Sequence, residues 1–205
     1  MHTVLLTGFE AFDQDTINPS WEAVRRLDGT LLSDDVRIVA RQLPCAFEQA
    51  PERLRQCLAD VQPILVIAVG LAQGRSDVSI ERVAINLNDA RIPDNLGHQP
   101  IDTPVVPGGP AAYFCSLPIK AMVRALRAAG IPASVSHSAG TFVCNQVFYS
   151  LQHALAGSGV RSGFIHVPWL PLQAAQAGSA LPSMALETLV EGLRIAVLTA
   201  LNTEH

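Results

Sequence analysis

The chain holds 205 residues, 49% hydrophobic and 16% charged, a balance that excludes a disordered polymer or a coiled coil and suits one α/β domain over residues 1–205. Its 14 basic and 18 acidic residues leave a net charge of -4, so the basic stripes that nucleic acid or an anionic membrane would require are missing and neither is expected as a partner. Lys120 is the only lysine; arginine carries the rest of the positive charge, in a form suited to paired, planar contacts.

Val4 to Thr7 reads as a buried strand ending at Gly8. Asn18-Pro19 has the form of an N-cap with proline in the first turn and opens a helix that stops near Gly29. Val36 to Ala40 is a second strand, and Leu54, Cys57, Leu58 and Val61 then recur at helical spacing. The unbroken apolar run Ile64 to Val69 predicts a central parallel strand covered on both faces. Val78 to Leu87 alternates around Glu81 and Arg82 as one strand or hairpin. Residues 88–116, rich in Asn, Asp, Pro and Gly, form a long irregular stretch of the kind that usually serves function. The pattern then predicts a helix over Leu117–Ala129, a strand over Ala133–His137, a helix over Asn145–Ala156, a strand over Gly163–Val167 and a closing helix over Met184–Leu201. Such alternation builds a largely parallel twisted sheet with helices on both faces, and sites collect beyond the carboxyl ends of its strands. Leu170-Pro171-Leu172 with Ala174–Ala180 is the segment expected to suit a subunit contact.

Cys45, Cys57, Cys115 and Cys144 are too widely spaced for a secreted disulfide framework or a zinc site, and no metal is expected. The first residues lack a cationic, apolar signal segment, and the longest apolar stretch, Pro63–Ala72, is too short for a bilayer; a cytoplasmic location follows as the expectation. No dinucleotide or P-loop glycine motif occurs, and no cofactor is expected. Gly70–Arg75 is a glycine loop after a strand, with no role legible from sequence.

Three residues carry chemical interest. In Ser138–Asn145 a strand runs into small residues and Cys144 stands where a helix begins. There the backbone N–H groups and the helix dipole favour a thiolate and offer donors to an oxyanion; the alternative is a buried structural cysteine. A cysteine nucleophile needs a base, and His166 closes a late strand in Gly163–Trp169, whereas His137 falls inside the short strand feeding Cys144 and is expected to pack. Glu81 sits in a mostly apolar strand, where a charge is costly unless paired; Arg82 points to the opposite face and is not its automatic partner. A solvated edge-strand pair is the alternative for Glu81.

Gly8-Phe9-Glu10 with Asn18-Pro19-Ser20, Gly70…Gly74-Arg75, Ile80–Asn86, Ser138–Asn145 and His166-Val167-Pro168, in that order, resemble the pyroglutamyl peptidase I family over nearly the whole chain. The resemblance implies a three-layer α/β/α sandwich and a cysteine exopeptidase that removes an N-terminal pyroglutamyl residue from peptides, in commonly cytoplasmic homotetramers. It implies a Cys-His-Glu triad at Cys144, His166 and Glu81, lactam-pocket residues Phe9, Phe12, Asn18, Phe142 and Val143, and a basic contribution near the oxyanion from Arg91. Gln73 matches a family glutamine displaced by two positions, with Leu71 in its usual place. Ala11 replaces the family's proline and Asp13-Gln14 its glycines. Two rivals remain at this point: a nucleoside phosphorylase-like enzyme and a non-catalytic small-ligand-binding domain. The pocket is expected to be apolar, with no carboxylate spare for the ammonium of an ordinary N-terminus.

Overall fold

The computed structural model describes residues 1–13, 15–178 and 181–203. Gln14 and His205 lie outside them, as does the end of the Ala174–Ala180 segment. The unbroken apolar run of β4 (Leu65–Leu71) and the buried stretch Val4–Phe9 of β1 (His2–Phe9) fit central strands buried on both faces, and each is flanked by strands in the sheet. The remaining strands of this sheet are β2 (Leu31–Ser33), β3 (Val36–Leu43), β5 (Val78–Glu81), β8 (Ala133–Ser136) and β9 (Arg161–Val167), in the order β2-β3-β1-β4-β9-β5-β8. A second sheet pairs β6 (Val83–Ile85) with β7 (Ala112–Phe114).

Helices α1 (Pro19–Arg26), α3 (Ile119–Ala128) and α6 (Leu186–Asn202) bury Val24, Met122 and Leu193 against the Val4, Leu6, Ile67 and Ile165 face. On the opposite face α2 (Gln49–Val61) and α4 (Val143–Ala154) bury Leu54, Cys57 and Val147 against Leu5, Val66 and Phe164. Helix, sheet and helix thus form three layers. The short helix α5 (Pro171–Gln176) follows β9, and Trp169 between them bridges to Ser183.

Strands β3, β1, β4 and β9 run parallel, but β5 is antiparallel to β9 and β8 is parallel to β5, so the sheet is mixed. The connection from β4 to β5 explains this. A parallel crossover takes a dozen or more residues, whereas only residues 72–77 separate these strands, so the chain must turn back. The stretch Val78–Leu87 is therefore two strands. At Arg82 the chain leaves the main sheet: its N–H donates to Ser136 O (2.8 Å) and its carbonyl accepts from Cys115 N (2.8 Å).

Two further expectations are corrected. His137 does not pack inside a strand; β8 ends at Ser136 and His137 is exposed. Leu170, offered for a subunit contact, is buried in the core, while Leu172 is exposed. The irregular stretch is pinned by side chains. Asn86 bonds Val106 N (2.8 Å) and Val106 O (2.9 Å), and the Asp94 carboxylate accepts from Phe47, Leu96 and His98 N–H groups at 2.7, 2.8 and 2.9 Å.

Close packing of α1 on the end of β1 depends on Gly8. A Cβ there would lie 2.7 Å from the Trp21 backbone, and the neighbouring Phe9 N–H donates to Ser20 Oγ at 3.0 Å. Gly8→Ala is expected to destabilise the fold by about 1–3 kcal/mol through overpacking. Urea unfolding reads this; an unchanged midpoint would show that α1 can move aside freely.

Candidate active site

Alternation along the strands sends one set of side chains to the α2/α4 face. Gly70 on β4 is in register with His166 on β9, and His166 with Ser79 on β5. Neighbouring strands lie about 4.8 Å apart, so these residues form one row across the floor. Cys144, in the first turn of α4, hangs over it: a Cβ on Gly70 would come within 2.8 Å of the Cys144 sulfur. Glycine at 70 is what leaves room for the thiol beside His166.

Glu81 reaches this row from two positions along β5. Its side chain spans the diagonal back to His166, and Oε1 lies 2.7 Å from His166 Nδ1. The carboxylate is wholly buried and His166 is 3% exposed. Burial works to raise the Glu81 carboxyl, but the His166 hydrogen bond and charge, with Ser136 and Arg75, outweigh it and hold the carboxyl below its ordinary value. An ionised carboxylate only accepts, so Nδ1 carries the proton and Nε2 is the nitrogen that can exchange one with a thiol.

A second cation meets the same oxygen. Arg75, after the glycine loop, donates from Nη1 to Glu81 Oε1 (2.8 Å) and from Nη2 to Ser138 O (3.2 Å). Arg82, the sequence neighbour, does not pair with Glu81; its Nε is buried without a partner, in keeping with a side chain on the opposite face.

These residues open into a cavity of about 710 Å³. Of the residues singled out from sequence, Phe9, Phe12, Asn18, Gln73, Arg91, Phe142, Cys144 and His166 line it. Glu81 stands behind His166. The Val143 side chain does not reach the cavity; it is fully buried in the core beneath α4. Phe142 packs against Phe12 (ring centroids 5.1 Å apart) and edge-on against Phe47 (5.0 Å), which makes an aromatic wall. Asn18 caps α1: Oδ1 accepts from Ser20 N and Oγ while Nδ2 donates to Glu10 O (2.9 Å), so only one amide hydrogen remains to offer a ligand.

Sequence reasoning missed several lining residues. Arg75 lay in a loop read only for its glycines, and Cys45, which lacks the helix-start setting of Cys144, nonetheless faces the cavity. Asp13 and Asp15 also line the mouth, so the expectation of no carboxylate there is wrong; Asp13 is exposed and Asp15 half-buried. Asp13 has φ 57°, the left-handed region that glycine occupies without strain and aspartate tolerates. That explains how it can replace a glycine of the resembled motif. Asn145 was also overlooked: fully buried, it bonds Ile85 N (3.0 Å), Ile85 O (2.9 Å) and Leu87 O (3.0 Å), fixing the first turn of α4.

The thiol differs from expectation. Burial pushes Cys144 up to about 12, Glu81 adds to this and Arg75 opposes it. Burial also lowers His166, against the pull of Glu81. Both shifts disfavour charge separation between the two groups, and the desolvation opposes the helix N-terminus. Among the described residues no group of three His, Cys, Asp or Glu could hold a metal ion, and no helix is long and apolar enough to cross a membrane.

Residues 2–203 match the pyroglutamyl peptidase family. The chain belongs to that family. A pyrrolidone-carboxylate peptidase of Pseudomonas fluorescens (strain SBW25) is 70% identical over 203 residues, 99% of this chain and 94% of its own length. One of Cupriavidus taiwanensis is 64% identical over 206 residues, again 99% and 94% of the two chains. The crystal structure of Bacillus amyloliquefaciens pyroglutamyl peptidase I superposes with a TM-score of 0.93 at 46% identity, covering 98% of this chain and 97% of that one. The pyrrolidone carboxyl peptidase of Thermococcus litoralis gives 0.94 at 38% identity, over 98% and 94%. Family membership makes the chain a peptidase, and the fold agrees.

Ultraviolet absorbance of the thiolate, taken as wild type minus Cys144→Ser, is expected to show no Cys144 thiolate between about pH 5 and pH 9 in the ligand-free protein, because its thiol titrates well above the ordinary cysteine value of about 8.5. A thiolate signal at neutral pH would contradict the neutral pair.

Proposed function

We propose that this chain is a cysteine exopeptidase that hydrolyses the bond after an N-terminal pyroglutamyl residue, with Cys144 as nucleophile, His166 as general base and acid, and Glu81 as the group that orients His166. The observation that carries the reading is the Cys144 sulfur seated over Gly70, beside a His166 whose Nδ1 is held by a buried carboxylate.

In the proposed reaction the Cys144 sulfur attacks the pyroglutamyl carbonyl carbon as its proton passes to His166 Nε2. The tetrahedral oxyanion meets the uncapped backbone N–H groups at the start of α4, where Phe142 supplies no side-chain cap, with Arg91 contributing charge. Collapse breaks the C–N bond, and Nε2 returns the proton to the leaving amine. Water then attacks the thioester, gives a proton to Nε2, and the thiol is regenerated as pyroglutamate leaves. Glu81 stabilises the transient imidazolium.

The lactam is neutral, which suits the aromatic wall of Phe9, Phe12 and Phe142. The remaining Asn18 amide hydrogen can meet the ring carbonyl, with Gln73 at the rim; Val143 contributes backbone at the start of α4. The cytoplasmic setting is supported by the cysteine spacing and by the resemblance, and the homotetramer by the resemblance; sedimentation showing only monomer at micromolar protein would remove the tetramer.

Cys144→Ser and His166→Ala are expected to abolish release of aminocoumarin from its pyroglutamyl amide, while Glu81→Gln keeps a fraction of the activity and Cys57→Ala retains nearly all. Near-native kcat in Cys144→Ser would overturn the nucleophile.

Pyroglutamyl substrates should exceed glutaminyl ones by at least about 10³ in kcat/KM, because an ammonium against the aromatic wall is left without a buried partner. Neither the exposed Asp13 nor the half-buried Asp15 at the mouth is a buried carboxylate. Values within tenfold of each other would sink the pocket assignment even with Cys144 confirmed.

A further inference from the structure

We infer that Arg75 is a positioning residue of this site: its guanidinium fixes the orientation of the Glu81 carboxylate and couples it to the loop that leads into Cys144. The inference rests on the triad reading above and goes beyond it by a fourth side chain.

The geometry is specific. Glu81 accepts from His166 and Arg75 at the same oxygen, Oε1, at 2.7 and 2.8 Å, while Oε2 is buried with no partner. One oxygen therefore carries both the imidazole and the guanidinium contact. Two donors converging on it from different directions define where it lies; a single imidazole would leave the carboxylate free to rotate and present Oε2 instead. The other arm of the guanidinium donates to Ser138 O, in the loop between β8 and α4. Arg75 itself belongs to the short connection that reverses the chain between β4 and β5. A single planar group thus links the carboxylate, the reversing connection and the segment that delivers Cys144. Lysine has no second arm to do this.

The charge acts alongside the geometry. Burial of a carboxylate beside a neutral imidazole would favour its protonation; a permanent cation at 2.8 Å opposes that, and Arg75 is among the groups that lower Glu81. The same charge lowers both His166 and Cys144. It keeps His166 unprotonated to lower pH and moves the thiol toward ionisation, the two conditions a neutral thiol–imidazole pair needs before attack.

Arg75→Ala tests this in the full-length protein, with a pyroglutamyl-aminocoumarin substrate across pH and with circular dichroism to check the fold. The expected result is a fall in kcat on the order of tenfold to a hundredfold, typical of lost partners that orient a histidine, with KM within about threefold. The acid limb of kcat/KM should move to higher pH, because His166 and Glu81 both protonate more readily once the cation is gone. Millimolar guanidinium should restore part of the rate, and Arg75→Lys should recover less kcat than its charge alone would give. If Arg75→Ala does not fold, Arg75→Gln carries the same comparison. An unshifted acid limb with an equal loss at every pH would make the role structural, and a rise in KM with kcat preserved would make Arg75 a substrate contact; either overturns the inference. Wild-type turnover by Cys144→Ser would instead sink the triad beneath it, whereas an inactive Cys144→Ser with a wild-type Arg75→Ala sinks the Arg75 inference alone.

Discussion

A carboxylate without access to water must be answered by charge and hydrogen bonds, and Glu81 imposes that demand on everything around it. His166 and Arg75 meet it at one oxygen. The consequence for His166 is a fixed tautomer: with Nδ1 donating to the carboxylate, Nε2 is the nitrogen turned to proton exchange. Cys144 is then held over the one position in the floor that has no side chain. Truncating His166 or Arg75 would strip the buried Glu81 carboxylate of one of its two donors, so the site's chemistry and its local stability are tied together.

The reversal of the chain after β4 is what makes this arrangement possible. In an all-parallel sheet, β5 would deliver its last residue to the same edge as β9. Running the other way, β5 places Ser79 opposite His166 and puts Glu81 deeper in the sheet, below the row that holds the reacting groups. The carboxylate is thereby kept from the cavity while its longer side chain still reaches the imidazole. Aspartate at the same place would fall short of the diagonal. Burial that protects the carboxylate also surrounds Cys144 and His166, and its effect on the thiol is opposite to that of the helix N-terminus.

Most of the order of elements was legible in the sequence, because apolar runs and caps are local signals. Asn18-Pro19 marked α1, and the run from Ile64 marked β4. The direction of β5 was not legible from periodicity, although the brevity of the 72–77 connection carried it. Glu81, Cys144 and His166 stood out because each is chemically out of place in its segment, and the structure brings them to one side of the sheet. Arg75 did not stand out: a glycine loop with an arginine at its end looks solvated until the carboxylate it meets is located. Asp13, Asp15 and Cys45 were missed because a cavity wall is assembled from loops distant in sequence. Val143 was misjudged by one helical position; next to Cys144 in sequence, it turns its side chain into the core.

The chemistry of the site turns on where the His166 ring carries its proton. ¹⁵N NMR of histidine-labelled protein, with His166 assigned by comparison with His166→Ala, reads both ring nitrogens directly. Near neutral pH in the absence of ligand, Nδ1 is predicted to carry the proton and Nε2 to be bare, with an Nδ1–H resonance that vanishes in Glu81→Ala. An imidazolium, or a neutral ring protonated at Nε2, would contradict the account.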